Sequence, residues 1–239
     1  MKVGLIADLH MNLFRRHNPF FIHVENSIYQ FRRICKEQKV DVIFILGDLF
    51  HTKYHISTEA LIRANALISS LSNEWKVVII RGNHDLADPN NLDINLCENY
   101  KHFDNVDVID DYDYMYDNMP GRVRFHFLAH SEGKTIVDRI NNISLSNGVK
   151  NILCSHIAVN GFLWHEDFAD YKSLVDSTLL SDFDKVFLGH FHGYQTNGNV
   201  TYVSAPLQSK YGDEKSQHGF VIYDTENDTH TFYPNISTP

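Results

Sequence analysis

The stretch VDVIFILGD, residues 40–48, contains an unbroken apolar run at 42–46, mostly β-branched, that is followed directly by a glycine and a carboxylate. Such a run is typical of a buried strand, and its abrupt polar end places Asp48 at the start of the following loop. The stretch KVGLIADLH, residues 2–10, is built in the same way and ends in Asp8 and His10. Both stretches therefore predict strands that carry polar groups at their carboxyl ends.

The segments around these strands have helical spacing. Apolar residues recur every three or four positions from Val24 to Cys35 and from Ala60 to Leu71, and Ser57 or Thr58 can cap the second helix. This β-α-β-α rhythm continues into WKVVII at 75–80. Residues 86 to 121 are less regular, a helical stretch is predicted near 134 to 147, and further strands are predicted at 123–129, 150–154 and 184–188.

From about residue 194 the chain changes character, because apolar runs such as VTYVSA, GFVIY and HTFYP are separated by Asn, Gly and Asp. These runs predict antiparallel strands joined by turns. The fold class predicted is therefore α/β, a mixed β-sheet sandwich flanked by helices. At 239 residues it is expected to form a single domain over 1–239.

Composition excludes several classes of protein. The apolar run at the N-terminus is too short for a secretory signal or a membrane span, so we expect no membrane association. Cys35, Cys97 and Cys154 show no CxxC spacing, which argues against a disulfide framework or a cysteine zinc site and favours a cytoplasmic location. The formal charge of −9 is unusual for a protein that grips nucleic acid non-specifically.

Polar clusters follow directly on five of the predicted strands. They are Asp8 with His10, Gly47 with Asp48, Gly82 to Asp85, Ser155 with His156, and Gly189 to His192. In open α/β sheets, ligands gather at the carboxyl ends of the strands, so we expect these groups to meet at one edge.

The side chains in these clusters are of the kinds that bind divalent metals. The candidate ligands are Asp8, His10, Asp48, Asn83, His156, His190 and His192. Carboxylates, an amide oxygen and imidazoles suit manganese, zinc or iron, and the number suffices for two adjacent ions if Asp48 bridges them. His84 is not needed as a ligand, so it is available as a general acid or as a donor to a phosphoryl group.

The ordered blocks DLH, GD, GNHD, SH and GHFH resemble those of the calcineurin-like metallophosphoesterase superfamily, and the resemblance covers residues 3 to about 224. It implies hydrolysis of a phosphodiester by a hydroxide held between two metals. The ligand sets that it implies are Asp8, His10, Asp48 and His192 for one metal and Asp48, Asn83, His156 and His190 for the other. His84 would then assist the leaving group, and His51 would contact the phosphate or orient His84.

Within that superfamily, GDLFH at 47–51 and SAPLQSKYGDEKSQHGFVIYD at 204–224 are similar to the SbcD-type nucleases of DNA repair. This similarity implies DNA as the substrate, manganese as the first choice of metal with zinc, iron or magnesium as alternatives, and a homodimer formed through the helix around residues 24 to 38. An SbcC-type ATPase partner is a weaker expectation, because we expect neither the duplex-gripping domain nor the ATPase-docking segment of that group in these 239 residues.

Other interpretations stay open. A small-molecule phosphodiesterase or phosphatase, acting for example on a cyclic or linear nucleotide, agrees better with the acidic charge. Arg15 and Arg16 are weak candidates for substrate contacts. A non-catalytic scaffold with the same fold would be expected to have lost ligands or His84, which this chain retains. The remaining histidines, including His126 and His130, match no motif and receive no role.

Overall fold

The chain folds into strands and helices that a computed structural model describes for residues 1–11, 13, 20–88, 91–117, 123–131, 133–163, 173–209 and 212–236. The helices are α1 Phe20–Gln38, α2 Thr58–Ser72 and α3 Gly133–Asn141. The strands are β1 Lys2–Ile6, β2 Val42–Leu46, β3 Lys76–Ile80, β4 Leu86–Asp88, β5 Asn91–Asn95, β6 Val106–Ile109, β7 Tyr112–Asp117, β8 Val123–Leu128, β9 Lys150–His156, β10 Lys185–Gly189, β11 Gln195–Asn197, β12 Val200–Tyr202, β13 Gly219–Asp224 and β14 Thr229–Pro234.

Two six-stranded mixed sheets stack face to face. The first has the order β14-β13-β1-β2-β3-β6, and the second has the order β11-β12-β10-β9-β8-β7. Strands β1, β2, β3 and β6 run parallel, as do β8, β9, β10 and β12, while β13 joins the first sheet antiparallel to β1. The predicted mixed sandwich flanked by helices is confirmed.

Alternation along the strands separates three apolar layers. Leu5 and Phe44 point into the space between the sheets, where they meet Phe125 and Phe187 of the second sheet. The intervening residues of the first sheet, such as Ile43, pack against α1 and α2, and the outer face of the second sheet packs against α3. Because both faces of each sheet are covered, the central strands read as continuous apolar runs.

The helix boundaries follow local chemistry. Ser57 caps α2, since its hydroxyl accepts a hydrogen bond from the backbone N–H of Ala60 at 3.1 Å. Of the two predicted caps, Ser57 and Thr58, the structure therefore has the first. Helix α3 ends at Asn141, earlier than the predicted 147. The residues that follow are NISLSNG, in which Asn, Ser and Gly favour turns over helix.

Two parts of the sequence prediction were incomplete. The segment from 86 to 121, described only as less regular, contains β4 to β7, of which β6 and β7 form an edge of each sheet. Their exposed, polar positions hide the alternation that marks a strand. The strand β12 pairs parallel with β10 and antiparallel with β11, so the tail is not wholly antiparallel. Within the described residues, no helix combines the length and apolarity needed to cross a bilayer.

Candidate metal centre

The carboxyl ends of β1, β2, β3, β9 and β10 meet at one edge of the sandwich, because the strands within each sheet run parallel. The loops that leave these ends carry the seven predicted ligands, and the structure brings all seven side chains together. They form two overlapping groups, which we call the first and the second half-site.

The first half-site consists of Asp8, His10 and His192. The Nε2 atoms of His10 and His192 face each other at 3.1 Å, and each lies 3.9 Å from Oδ1 of Asp8. Their side chains are 5% exposed or less. Three donor atoms of this kind, converging on one point, are what a divalent metal requires.

The second half-site consists of Asn83, His156 and His190. Oδ1 of Asn83 lies 3.1 Å from Nε2 of His156 and 3.1 Å from Nδ1 of His190, and these two ring nitrogens are 3.3 Å apart. An amide oxygen and two imidazole nitrogens therefore point at a common centre.

Asp48 lies between the half-sites. Its Oδ2 is 3.3 Å from Nε2 of His156 and 4.0 Å from Nε2 of His10, so one carboxylate faces both groups. Its Oδ1 accepts the backbone N–H of His84 at 2.8 Å, which fixes the plane of the carboxylate. This is the position that a bridging ligand would occupy.

The backbone at the ligands is unusual. Asp8, His10, Asp48 and His190 all have positive φ, at 53°, 45°, 52° and 98°. Residues other than glycine rarely adopt this left-handed region, and such strain collects at functional sites. The positive φ values reverse the chain direction just after the strands, so that these loops stay close to the cluster.

Two glycines of the motifs are required by close packing. A Cβ on Gly82 would lie 2.2 Å from Oδ1 of Asp48, and a Cβ on Gly47 would lie 2.4 Å from Nδ1 of His156. Gly47 also has φ +85°. A side chain at either position would displace a predicted ligand.

The imidazoles of the two half-sites are oriented by different kinds of partner. Nδ1 of His156 donates to the carbonyl oxygen of Leu46 at 2.8 Å, so Nε2 is the ring atom that faces Asn83 and that binds a metal once its proton has left. Nδ1 of His192 lies 3.1 Å from Oδ2 of Asp213 and 2.8 Å from Oγ of Ser209. Such partners fix the tautomer of a ligating histidine and raise its basicity.

His84 and His51 lie beside the first half-site. Nδ1 of His84 donates to the carbonyl oxygen of His51 at 2.7 Å, and the two rings are stacked with centroids 5.1 Å apart. The Nδ1 atoms of His51 and His10 are 3.3 Å apart. His51 therefore contacts both a predicted ligand and the predicted acid, and its backbone orients His84.

The titratable groups of the centre have pKa values shifted in different directions. Burial opposes ionisation of Asp48, but the facing His156, His10 and His84 hold its pKa well below the usual value. Burial raises the pKa of Asp8. Burial also lowers the pKa of His10 and His190 well below the usual value, with help from neighbouring imidazoles. His156 differs, because Asp48 and Asp8 outweigh its burial and raise its pKa to about 9.

These donors fit a pair of divalent cations. Two carboxylates, one amide oxygen and four imidazoles lie at the centre, and groups able to hold a metal are found among them. Facing ring nitrogens are 3.1 Å apart in the first half-site and 3.3 Å apart in the second. A cation in each half-site would be a common partner for both of its imidazoles.

Sequence reasoning missed three residues around the centre. Asp213 orients His192, and its only sequence signal was its place inside the YGDEK string. Asp85 accepts the backbone N–H groups of Phe50 and Gly82 at 3.0 and 2.9 Å, which ties together two ligand-bearing loops.

His130, to which no role was given, stacks on His190 with ring centroids 6.0 Å apart and donates from Nδ1 to the carbonyl oxygen of His156 at 2.9 Å. No signal in the sequence identified it. Arg15 and Arg16, the weak candidates for substrate contacts, lie outside the described residues.

The chain is similar to several known proteins. A model of the calcineurin-like phosphoesterase family matches residues 1–194. Exonuclease subunit 1 of Enterobacteria phage T4 is 26% identical over 247 residues, which cover 100% of this chain and 69% of that protein. The SbcD subunit of the SbcCD nuclease of Staphylococcus epidermidis is 25% identical over 261 residues, covering 98% and 69%. The structure of TT1561 from Thermus thermophilus is similar over 98% of each chain, with a TM-score of 0.55 and 8% identity, which shows the fold alone.

Proposed function

Because the chain belongs to the calcineurin-like phosphoesterase family, and is thus a hydrolase of phosphoester bonds that uses a dinuclear metal site, we propose that it cleaves phosphodiester bonds in DNA. The observation that carries the proposal is the pair of half-sites that share Asp48. Two cations held a few ångströms apart suit the in-line displacement at a phosphodiester. We propose manganese for both positions because of the similarity to the SbcD-type nucleases; the carboxylate, amide and imidazole donors suit manganese, zinc and iron alike.

The ligand roles belong to the proposal. The first half-site would hold one ion with Asp48, and the second half-site would hold the other ion with the same carboxylate. The bound cations would supply an activated water nucleophile at neutral pH and neutralise charge on the phosphoryl oxygens. All other steps depend on side chains of this chain.

His84 is proposed as the general acid. Because its Nδ1 donates to the carbonyl oxygen of His51, Nε2 is the atom that can give a proton to the leaving oxygen. The backbone N–H of His84 is bonded to Asp48, so the acid keeps a fixed position relative to the shared carboxylate. His51 would position His84 and His10 together.

DNA is favoured over other diesters by the relatives. The phage protein is named an exonuclease subunit and the staphylococcal protein a nuclease subunit, and both matches run over nearly the whole of this chain. We extend that substrate class to this chain as a proposal. A role in DNA repair or processing would follow from it.

A small nucleotide diester is the second candidate. The chain carries a formal charge of −9, and many cationic side chains of the described elements pair with carboxylates, as Arg63 does with Glu59 and Lys101 with Asp110. Cations engaged in this way contribute less to gripping a DNA backbone. A substrate with one phosphodiester needs no such surface.

The test compares manganese-dependent hydrolysis of labelled linear and single-stranded DNA with that of bis-p-nitrophenyl phosphate. We expect wild type to degrade DNA, and His84→Ala to lose roughly 10²-fold in turnover while keeping its metals. The exposed His102, changed to Ala in the same way, is the matched control and should behave as wild type. Hydrolysis of the small diester with DNA left intact would favour the second candidate, and no hydrolysis of either would contradict the proposal.

A homodimer and an ATPase partner belong to the proposal as well. Ile22 and Tyr29 of α1 are 55% and 70% exposed and lie seven residues apart, on one face of the helix predicted to pair in a homodimer. We propose that this face forms the dimer, and that an SbcC-type ATPase is a further candidate partner. Sedimentation of wild type and Tyr29→Glu would test the dimer, which the charge should dissociate.

A further inference from the structure

A cavity of about 250 Å³ opens beside the second half-site. His190 forms part of its wall, and so does His130, which stacks on His190. His84, by contrast, contacts His10 and His51 at the first half-site. The cavity and the proposed general acid therefore adjoin different half-sites.

The walls of this cavity combine two kinds of surface. Ile136, Ile157 and Val175 provide apolar branched side chains, and Ser131 and Ser173 provide hydroxyl groups. This combination suits a ligand with flat apolar faces and polar edges.

We infer that the cavity binds the nucleoside that stays attached to the phosphate after hydrolysis. The inference rests on the proposed phosphodiesterase function, since it assigns one of the two ester substituents of the substrate. Water forms a new P–O bond, the P–O bond to the leaving oxygen breaks, and that oxygen takes its proton on the His84 side. The other substituent remains on phosphorus and lies on the His190 side.

Size and chemistry select a nucleoside as the occupant. A volume of about 250 Å³ suits a single base with its sugar. The base would lie against Ile157 and Val175, and the serines would face its polar edge or the sugar. A DNA substrate would thus present one unstacked nucleotide, and a small nucleotide diester would bind in the same way.

The experiment uses manganese-loaded protein and esters that share p-nitrophenol as the leaving group. Thymidine 5′-(p-nitrophenyl phosphate) and thymidine 3′-(p-nitrophenyl phosphate) carry the nucleoside as the retained substituent, and methyl p-nitrophenyl phosphate lacks it. We expect kcat/KM of at least one thymidine ester to exceed that of the methyl ester by about tenfold, the size of effect that contacts to one base produce.

Two variants connect this ratio to the cavity. Ala158→Phe would fill the cavity, and Leu174→Ala would remove an apolar wall residue that is 60% exposed and thus safe for folding. Both should lower the ratio of thymidine to methyl ester toward one. Leu145, 38% exposed and outside the cavity, gives the matched control Leu145→Ala, which should keep the wild-type ratio.

The outcomes separate this inference from the function on which it rests. A ratio near one in wild type, with the methyl ester still hydrolysed, would overturn the nucleoside site and leave the phosphodiesterase standing. An unchanged ratio in Leu174→Ala and in folded Ala158→Phe would also overturn it. If manganese-loaded wild type hydrolysed none of the esters, the proposed function would fall, and this inference with it.

Discussion

The two half-sites share Asp48 and a similar set of donors, but they are supported in different ways. In the first half-site, His192 is oriented by the side chains of Asp213 and Ser209, and His10 lies against the side chain of His51. In the second half-site, His156 is oriented by the backbone carbonyl of Leu46, inside strand β2.

This difference predicts unequal responses to change. Side-chain support can be removed by one substitution at a distance from the metal, whereas a backbone carbonyl of a central strand cannot. His192 should therefore be tunable through Asp213 and Ser209, whereas His156 should respond mainly to changes in the ligands around it or in its own protonation. Four predictions test this comparison.

Asp48→Asn should give the largest effect and abolish the distinction between the half-sites. Since its carboxylate faces both groups, metal affinity should fall at both positions by more than the ~10- to 100-fold typical of losing an outer partner, and hydrolysis should be lost. Calorimetric titration with manganese measures both sites. Retention of one wild-type affinity would show that Asp48 is not shared.

Asp213→Asn should weaken one metal position and leave the other. The amide cannot stabilise the His192 ring as the carboxylate does, so affinity at the first half-site should fall by about 10- to 100-fold. Titration should then show one normal and one weakened event. The exposed Asp182 provides the control Asp182→Asn. Two equally weakened events would contradict the separate support of the half-sites.

Metal binding at the second half-site should depend on pH. The pKa of His156 is raised to about 9 in the metal-free protein, so below that pH a cation must displace a proton from this ring. Affinity should rise by up to ~10-fold per unit as pH increases toward 9 and then level off. The pKa of His10 is held well below its usual value, so its ring has no proton to release.

Titration in buffers of different ionisation enthalpy measures the protons released by each binding event. At pH 7 we expect release from His156 to accompany binding at the second half-site. Release that is absent from both events would contradict the protonation of His156.

His51→Gln should have the smallest effect on metal affinity, perturbing the first half-site alone by less than ~10-fold, because the contact with His10 is an outer one. The backbone carbonyl that holds His84 stays in place in this variant. A large fall in turnover at saturating metal would therefore indicate that the His51 side chain contacts the phosphate. His102→Gln is the control.

Much of the clustering was predictable from sequence because each proposed ligand lies just after an apolar strand, and parallel strands deliver their ends to one edge. Asp8, Asp48 and His156 needed only that rule. Asp213 was not predictable in this way, because it lies 21 residues beyond His192 in a loop and reaches the site through tertiary packing. His130 follows β8 but belongs to none of the five sequence blocks, so nothing distinguished it from a surface histidine.

The less regular segment before β8 shows the same limit in the fold. Strands β6 and β7 lie at sheet edges, where most of the described side chains are exposed or half-buried and the alternation of apolar residues weakens. Their position depends on pairing with β3 and β8 rather than on their own composition.

The left-handed backbone at Asp8, His10, Asp48 and His190 has a consequence for protein engineering. Each such residue costs on the order of 1–3 kcal/mol unless its surroundings compensate. A selection for heat resistance alone would thus favour glycine or asparagine at these four positions. The selected variants would be more stable but would lack the proposed metal ligands. A screen for thermostable variants of this protein therefore has to measure hydrolysis in every round, since the residues with strained backbone are those proposed to hold the metals.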